Sequence, residues 1–189
     1  MLRRLNISAY MIEFMENVKR MAIDIHKTVY QRAAYMLTIR QYIPADQATI
    51  EYLHVFALQQ VGAYLGRGPW DDDLYAIEEH YLSNHGEFLV GEDDGKIVAM
   101  GALLRISPTC AEITRMRVHP DYQGQGYGQH ILSELETCAR TLGYTTLHLH
   151  TSVVQLAAQR LYERNGFHEV GRGIQQNLEI ILYEKELNL

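Results

Sequence analysis

The stretch from Glu112 to Leu142 leaves this chain fewer choices than any other part of its sequence. It reads Glu-Ile-Thr-Arg-Met-Arg-Val-His-Pro-Asp-Tyr-Gln-Gly-Gln-Gly-Tyr-Gly and runs on into Gln-His-Ile-Leu-Ser-Glu-Leu-Glu. A strand pattern stops at Pro120, a glycine-punctuated turn follows, and an amphipathic helix pattern opens near Gly126. Gly124, Gly126 and Gly128 remove side chains where a backbone approaches a ligand closely or takes a positive φ. The first helical turn leaves unpaired N–H groups that carry roughly half a positive charge. Strand, bare loop and helix start together form an anion site, most simply for phosphates.

Two common phosphate loops do not fit. A P-loop ends in Gly-Lys-Ser/Thr, and no Lys follows these glycines. A dinucleotide fingerprint spaces its glycines Gly-x-Gly-x-x-Gly and places an acidic residue about 20 positions on. Here the spacing is Gly-x-Gly-x-Gly, and that later region is Leu147-His148-Leu149. The residues do match Gln-x-x-Gly-x-Gly, from Gln123 through Gly126 to Gly128, which resembles the pyrophosphate loop of the GNAT superfamily of N-acetyltransferases. A second segment, Leu161-Tyr162-Glu163-Arg164-Asn165-Gly166-Phe167, resembles that family's Leu-Tyr-x-x-x-Gly-Phe signature. The two motifs stand in the family's order and separation, and the resemblance covers about Leu37 to the C-terminus.

The resemblance implies a GNAT, or acyl-CoA N-acyltransferase, fold of the mixed α/β (α+β) class. Six to seven mostly antiparallel strands form a sheet that splays where the cofactor enters, flanked by about four helices. It implies acetyl-CoA as cosubstrate, no metal, and direct acetyl transfer to a primary amine in a ternary complex. It assigns Gln123, Gly124, Gln125, Gly126, Tyr127 and Gly128 to the pyrophosphate, although the Tyr127 ring reads equally as packing. The backbone of Met116, Arg117 and Val118 is assigned to the pantetheine arm. Gln155 stands where the family often has Asn, so it keeps an amide one methylene longer. Tyr162 is placed beside the coenzyme sulfur. A phenol with a pKa of about 10 is protonated at neutral pH and can hand a proton to a leaving thiolate.

Glu112 is the candidate base, directly or through water. Period-two alternation puts Cys110, Glu112, Thr114, Met116 and Val118 on one face of their strand. A half-buried carboxylate there can accept a proton from the amine; the alternative is an ion-pair partner of an arginine. His148 and His150 share a strand face without further ligands for zinc, and His150 is also a candidate for the acceptor pocket. Trp70, with Tyr64 and Arg67, either borders the acceptor or caps the core. An acyl-CoA-binding regulatory module without turnover is the alternative function.

A formal charge of −6 speaks against generic nucleic-acid binding. The resemblance implies a small-molecule or peptide amine as acceptor; the acidic balance is compatible with a cationic one, though it also serves solubility alone. Cys110 and Cys138 fall in a strand and a helix pattern, as small hydrophobes in a reducing cytoplasmic setting. No apolar run reaches the roughly 18 residues of a membrane span.

Two domains are expected, a helical extension over 1–35 and the acetyltransferase domain over 36–189. Ile7, Met11, Phe14, Val18, Met21, Ile25 and Thr28 form a short heptad-like stripe on the extension. It suits a helix packed on the domain, an extension from an early start codon, or a homodimerising helix. In the domain, Met36 to Ile43 reads as a strand, and Asp46 as the N-cap of a helix to about Tyr64. Asp71 to Ser83 reads as a second helix with Asp71, Asp72 and Asp73 in its first turn. Glu87 to Gly91 and Lys96 to Ser107 are strands around a turn ending at Gly95. Strand Cys110 to Val118, the glycine loop and helix, strand Thr145 to Ser152, helix Gln155 to Arg164 and two last strands complete the order.

Overall fold

The protein is described by a computed structural model over residues 37–188. Expectations for residues 1–35 lie outside the described residues. Seven strands form one sheet: β1 (Thr38–Gln41), β2 (Glu87–Asp93), β3 (Lys96–Arg105), β4 (Cys110–Val118), β5 (Thr146–Ser152), β6 (His168–Gln175) and β7 (Leu178–Glu186). Their order is β1-β2-β3-β4-β5-β7-β6. Every neighbouring pair is antiparallel except β4 with β5. Four α-helices stand among the described residues: α1 (Gln47–Gln60), α2 (Ile77–His80), α3 (Tyr127–Thr141) and α4 (Leu156–Arg164).

The helices form where apolar residues recur at helical spacing. Ile50, Leu53, His54 and Ala57 make the buried stripe of α1, and Ile131, Leu132, Leu135 and Ala139 that of α3. The α3 stripe meets Leu103, Ala111 and Ile113 on one face of the sheet, where Leu161 and Tyr162 of α4 join it. The α1 stripe, with Leu74, Ile77 and Tyr81, packs on Phe88, Val90, Met100 and Ala102 on the other. The β2–β3 hairpin closes through Asp94 and Gly95, at φ 50° and 72°, the two left-handed residues that a two-residue hairpin turn needs.

Three local expectations are corrected. Asp46 does precede α1, yet its carboxylate points backward, accepting from the Ile43 amide at 2.9 Å and from Arg40 Nη1 at 2.7 Å. Arg40, six residues earlier on β1, outcompetes the helix amides for it. Helix α1 ends at Gln60 and not Tyr64, because Gly62 turns left-handed at φ 66°. The stretch after Gly68 is no continuous helix: a 3-10 segment (Pro69–Tyr75) gives way at Ala76 to the four residues of α2.

The largest departure is in β4. Met100 pairs with Arg117 and Ala102 with Thr114, so Gly101 alone faces both Arg115 and Met116. This is a β-bulge, with Arg115 at φ 55°. The extra residue inverts the alternation beyond it. Met116 and Val118 pack on the α3 side with Ala111 and Ile113, away from the face expected to hold them with Glu112. Gly101 is required here, since a Cβ would lie 2.6 Å from Met116 Sδ and 2.6 Å from Ile131 Cγ2.

Candidate active site

Strands β4 and β5 pair only at Cys110, Ala111 and Glu112 with Thr146, Leu147 and His148. Beyond Glu112 they part, and the β5-facing peptide groups of β4 have no strand partner. A cavity of about 190 Å³ opens in the gap. Its walls include Thr114 to Arg117 of β4, His150 to Ser152 of β5, and Ala158 and Tyr162 of α4, with Tyr64, Trp70 and Gln176 also lining it. Two β4 carbonyls carry side-chain donors: Met116 accepts from Arg117 Nη1 at 2.7 Å and Val118 from Gln123 Nε2 at 3.2 Å. Each carbonyl keeps a second lone pair.

The glycine loop leaves β4 through a 3-10 turn at Pro120–Tyr122 and enters α3 at Gly126. Gly124 and Gly126 take φ of 76° and 88°, and a Cβ on either would touch nothing within 4 Å. They are there for backbone shape and an open face, whereas Gly128 sits against Leu161 and Val118. The amides of Gly124, Gln125 and Gly126 meet no acceptor among the described residues. Tyr127 is buried, and its hydroxyl donates to Asp93 Oδ2 at 2.7 Å. Its side chain thus anchors the start of α3 to the β2–β3 hairpin. Gln155 precedes α4, and its Oε1 accepts from Thr151 Oγ1 at 3.0 Å and the Ser152 amide at 3.3 Å, which ties down the end of β5.

Tyr162 is 5% exposed, and its ring packs edge-on to Phe167 with centroids 5.9 Å apart. Its hydroxyl makes no hydrogen bond with any described residue and reaches the cavity. Burial pushes its pKa up to about 12, with Arg117 pulling the other way. Glu112 does not line this cavity; its Oε1 lies 2.9 Å from His150 Nδ1, and His150 does. His148, the other histidine of that face, contacts Glu184 at 2.8 Å. Met116, Arg117, Gln155 and Tyr162 therefore share one cavity, Glu112 joins through His150, and Val118 with the Gln123 to Gly128 loop stands outside its walls.

Sequence reasoning did not find the charged network behind the cavity. Arg115 grips Asp73 with Nε at 2.8 Å and with Nη2, reaches Asp71 through Nη1 at 3.1 Å, and donates to the Trp70 carbonyl at 2.5 Å. Asp73 also accepts from the Tyr81 hydroxyl. Asp71 and Asp73 thus spend their charge on Arg115, while Asp72 stays exposed. Burial raises the Asp73 carboxyl, but its bonds to Arg115 outweigh this and hold it below the usual value. His54 Nε2 lies 3.2 Å from Asp71 Oδ1. Burial first, then Arg117 and Arg115, bring His54 down to about 3, so it is neutral and this contact is a hydrogen bond, leaving a lone pair at Nδ1. Arg67 lies over the Tyr75 ring, 3.9 Å from its centroid. The alternation of two arginines in Thr-Arg-Met-Arg-Val, inside a strand with apolar flanks, was the available signal.

Residues 51–167 match the acetyltransferase (GNAT) family profile. N-acetyltransferase 8F1 from Rattus norvegicus is 28% identical over 131 residues, which span 62% of this chain and 59% of the rat protein. This chain therefore matches little more than half the length of that relative. Among solved structures, a GNAT-family acetyltransferase from Staphylococcus aureus superposes with a TM-score of 0.75 at 20% identity, covering 81% of this chain and 100% of that one. The yncA protein from Salmonella typhimurium, solved with acetyl-CoA, gives 0.69 at 24% identity over 82% of this chain and 95% of that one. With the parted strands, the glycine loop and more than half of its length in the profile, the chain belongs to the GNAT family of acetyltransferases.

Proposed function

We propose that the protein is an N-acetyltransferase that moves the acetyl group of acetyl-CoA to a primary amine by direct transfer in a ternary complex. One observation carries the reading: the gap between β4 and β5 holds an unbonded Tyr162 hydroxyl and lies beside a loop of three unpartnered amides. The loop fits a diphosphate because its outer face is open, with nothing within 4 Å of a Cβ at Gly124 or Gly126. Gln123 to Gly128 would hold the phosphates, and the freed backbone of Met116, Arg117 and Val118 the pantetheine arm. The Nε2 of Gln155 has no partner among the described residues and remains available to the coenzyme. Bound acetyl-CoA supplies a thioester whose acetyl carbon accepts the amine and whose sulfur departs.

The chain's own groups handle the protons. Tyr162 gives the proton of its hydroxyl to the departing sulfur and recovers one from the positively charged nitrogen of the adduct, which becomes the neutral amide. The Glu112 contact fixes the His150 tautomer with hydrogen on Nδ1, so that the Nε2 lone pair takes the proton from the acceptor ammonium. Glu112 thereby positions the base. His150→Ala and Glu112→Gln are each expected to lower kcat/KM about tenfold or more. The double variant should be no slower than His150→Ala alone, because the pair acts as a unit; fully additive losses would separate the two residues.

Gly126→Ala tests the loop. The methyl meets no protein atom, but φ of 88° is unfavourable for an L-residue, costing about 1–2 kcal/mol. Calorimetric titration of coenzyme A should show affinity reduced about tenfold beyond a small fall in Tm. The reading itself is tested by coenzyme A thiol release across a panel of amines, with mass spectrometry of the product. Stabilisation by coenzyme A without thiol release from any amine would leave a binding module. Cys110 and Cys138, both free thiols, support placing this chemistry in a reducing cytoplasm.

A further inference from the structure

We infer that the acceptor is an amine that also carries a carboxylate, of the amino-acid class, and that Arg117 binds that carboxylate within the cavity between β4 and β5. The inference rests on the acetyl-transfer reading for what the bound molecule then undergoes.

The two arginines of β4 are treated differently. Arg115 uses its Nε and Nη2 edge to grip Asp73, and its Nη1 for Asp71. Arg117 has Nη1 on its neighbour's carbonyl and nothing more among the described residues. Its Nε is sealed from solvent without a partner. The Nε–Nη2 edge, the fork that holds a carboxylate in Arg115, is left unpaired in Arg117. A carboxylate fills that fork with two parallel N–H···O bonds; a phosphate would fill it too, but the diphosphate of the coenzyme is assigned to the Gln123 to Gly128 loop outside these walls.

Nothing else in the cavity neutralises Arg117. Of the lining residues only Asp71 is acidic, and it is spent on Arg115 and His54. Glu112 is engaged by His150. Burial, then the repulsion of Arg115, outweigh the distant help of Tyr162, Asp71 and Asp73 and pull Arg117 down to about 10, so it remains a cation at neutral pH. A buried cation without a counter-ion is among the most costly arrangements a fold can hold. A ligand that brings the counter-charge relieves it. The residue keeps some accessible surface because it faces the cavity. A carboxylate therefore meets Nη2 first and takes Nε by a small rotation of the guanidinium. The second sealed, unpartnered atom of the described residues, His54 Nδ1, is in the same cavity wall and is an acceptor. One molecule with an N–H and a carboxylate answers both.

The test reads equilibrium binding without turnover. The twenty N-acetyl-L-amino acids are titrated by calorimetry into the full chain with coenzyme A present. The decarboxylated counterpart of each, the N-acetyl amine lacking only the carboxylate (N-acetylphenethylamine for phenylalanine, N-acetyltyramine for tyrosine, N-acetyltryptamine for tryptophan, N-acetylhistamine for histidine), is titrated alongside. At least one acid should bind about 100-fold more tightly than its counterpart. Arg117→Gln should reduce that preference to about threefold or less. Arg117→Lys, which keeps the charge but loses the fork, should retain part of it and serves if the Gln variant does not fold. The inference is overturned if no pair is discriminated in the wild type, or if the preference survives both variants. A retained preference with no thiol release from any amine strikes only the acetyl-transfer reading. Release from amines with no preference strikes only the inference.

Discussion

Replacing Tyr162 with Phe is expected to lower kcat by about two to three orders of magnitude while leaving the fold intact. The size follows from the loss of a positioned general acid. The selectivity follows from the surroundings of the hydroxyl. The ring packs against Phe167 and Tyr183, and a phenylalanine keeps those contacts. The hydroxyl has no hydrogen-bond partner among the described residues, so its removal orphans nothing, and Tm should stay within about 1 °C. Because burial carries the phenol up to about 12, it stays protonated throughout the neutral range. The alkaline limb of the pH profile should not come from Tyr162. Thiol release in single turnovers, beside thermal melts, reads both quantities. An unchanged kcat would remove the hydroxyl from the chemistry.

Arg115→Met should cause the largest loss of stability, about 3–5 kcal/mol, because it removes the counter-charge of the buried Asp71 and the half-buried Asp73 and leaves them only His54 and the Tyr81 hydroxyl. At the size of this chain that corresponds to a fall in Tm of about 10 °C. The sign of the pH effect is fixed. Arg115 holds Asp73 below its ordinary 3.8. The stabilisation is therefore complete above that value and is lost as pH falls through the lower, folded one. Without Arg115, burial, the largest single influence, is opposed only by the Tyr81 hydroxyl and a backbone bond, so the Asp73 carboxyl rises and the variant carries a penalty that acid relieves. Urea unfolding at pH 7.5 and pH 5 should show the gap between variant and wild type narrowing at the lower pH. A gap that widens on acidification would mean Asp73 is not the stranded group.

The glycine loop and the helix after it were legible because their causes are local. Positive φ at Gly124 and Gly126 and the α3 stripe are written within one short stretch. The reversal of faces in β4 was not legible. Period-two counting runs past Thr114 unaltered, and the bulge depends on Gly101 of the neighbouring strand making room for Met116. Asp71 and Asp73 misled for a similar reason. Near a helix start the macrodipole explains acids, yet their partner Arg115 lies 44 and 42 residues away, and such pairings leave no periodic trace. Glu112 was singled out, but its contact with His150 depends on two parallel strands aligning, which neither segment announces alone.

The bulge at Arg115 also uncouples the register of β4 from the number of residues in it. Losing Arg115 would leave Met116 alone opposite Gly101 and straighten the ladder, with Met116, Arg117 and Val118 still on the sides they now hold. What would vanish is the guanidinium that gathers Asp71 and Asp73. In this strand an in-frame deletion of the bulged codon is thus a local lesion, its cost concentrated in two abandoned acids.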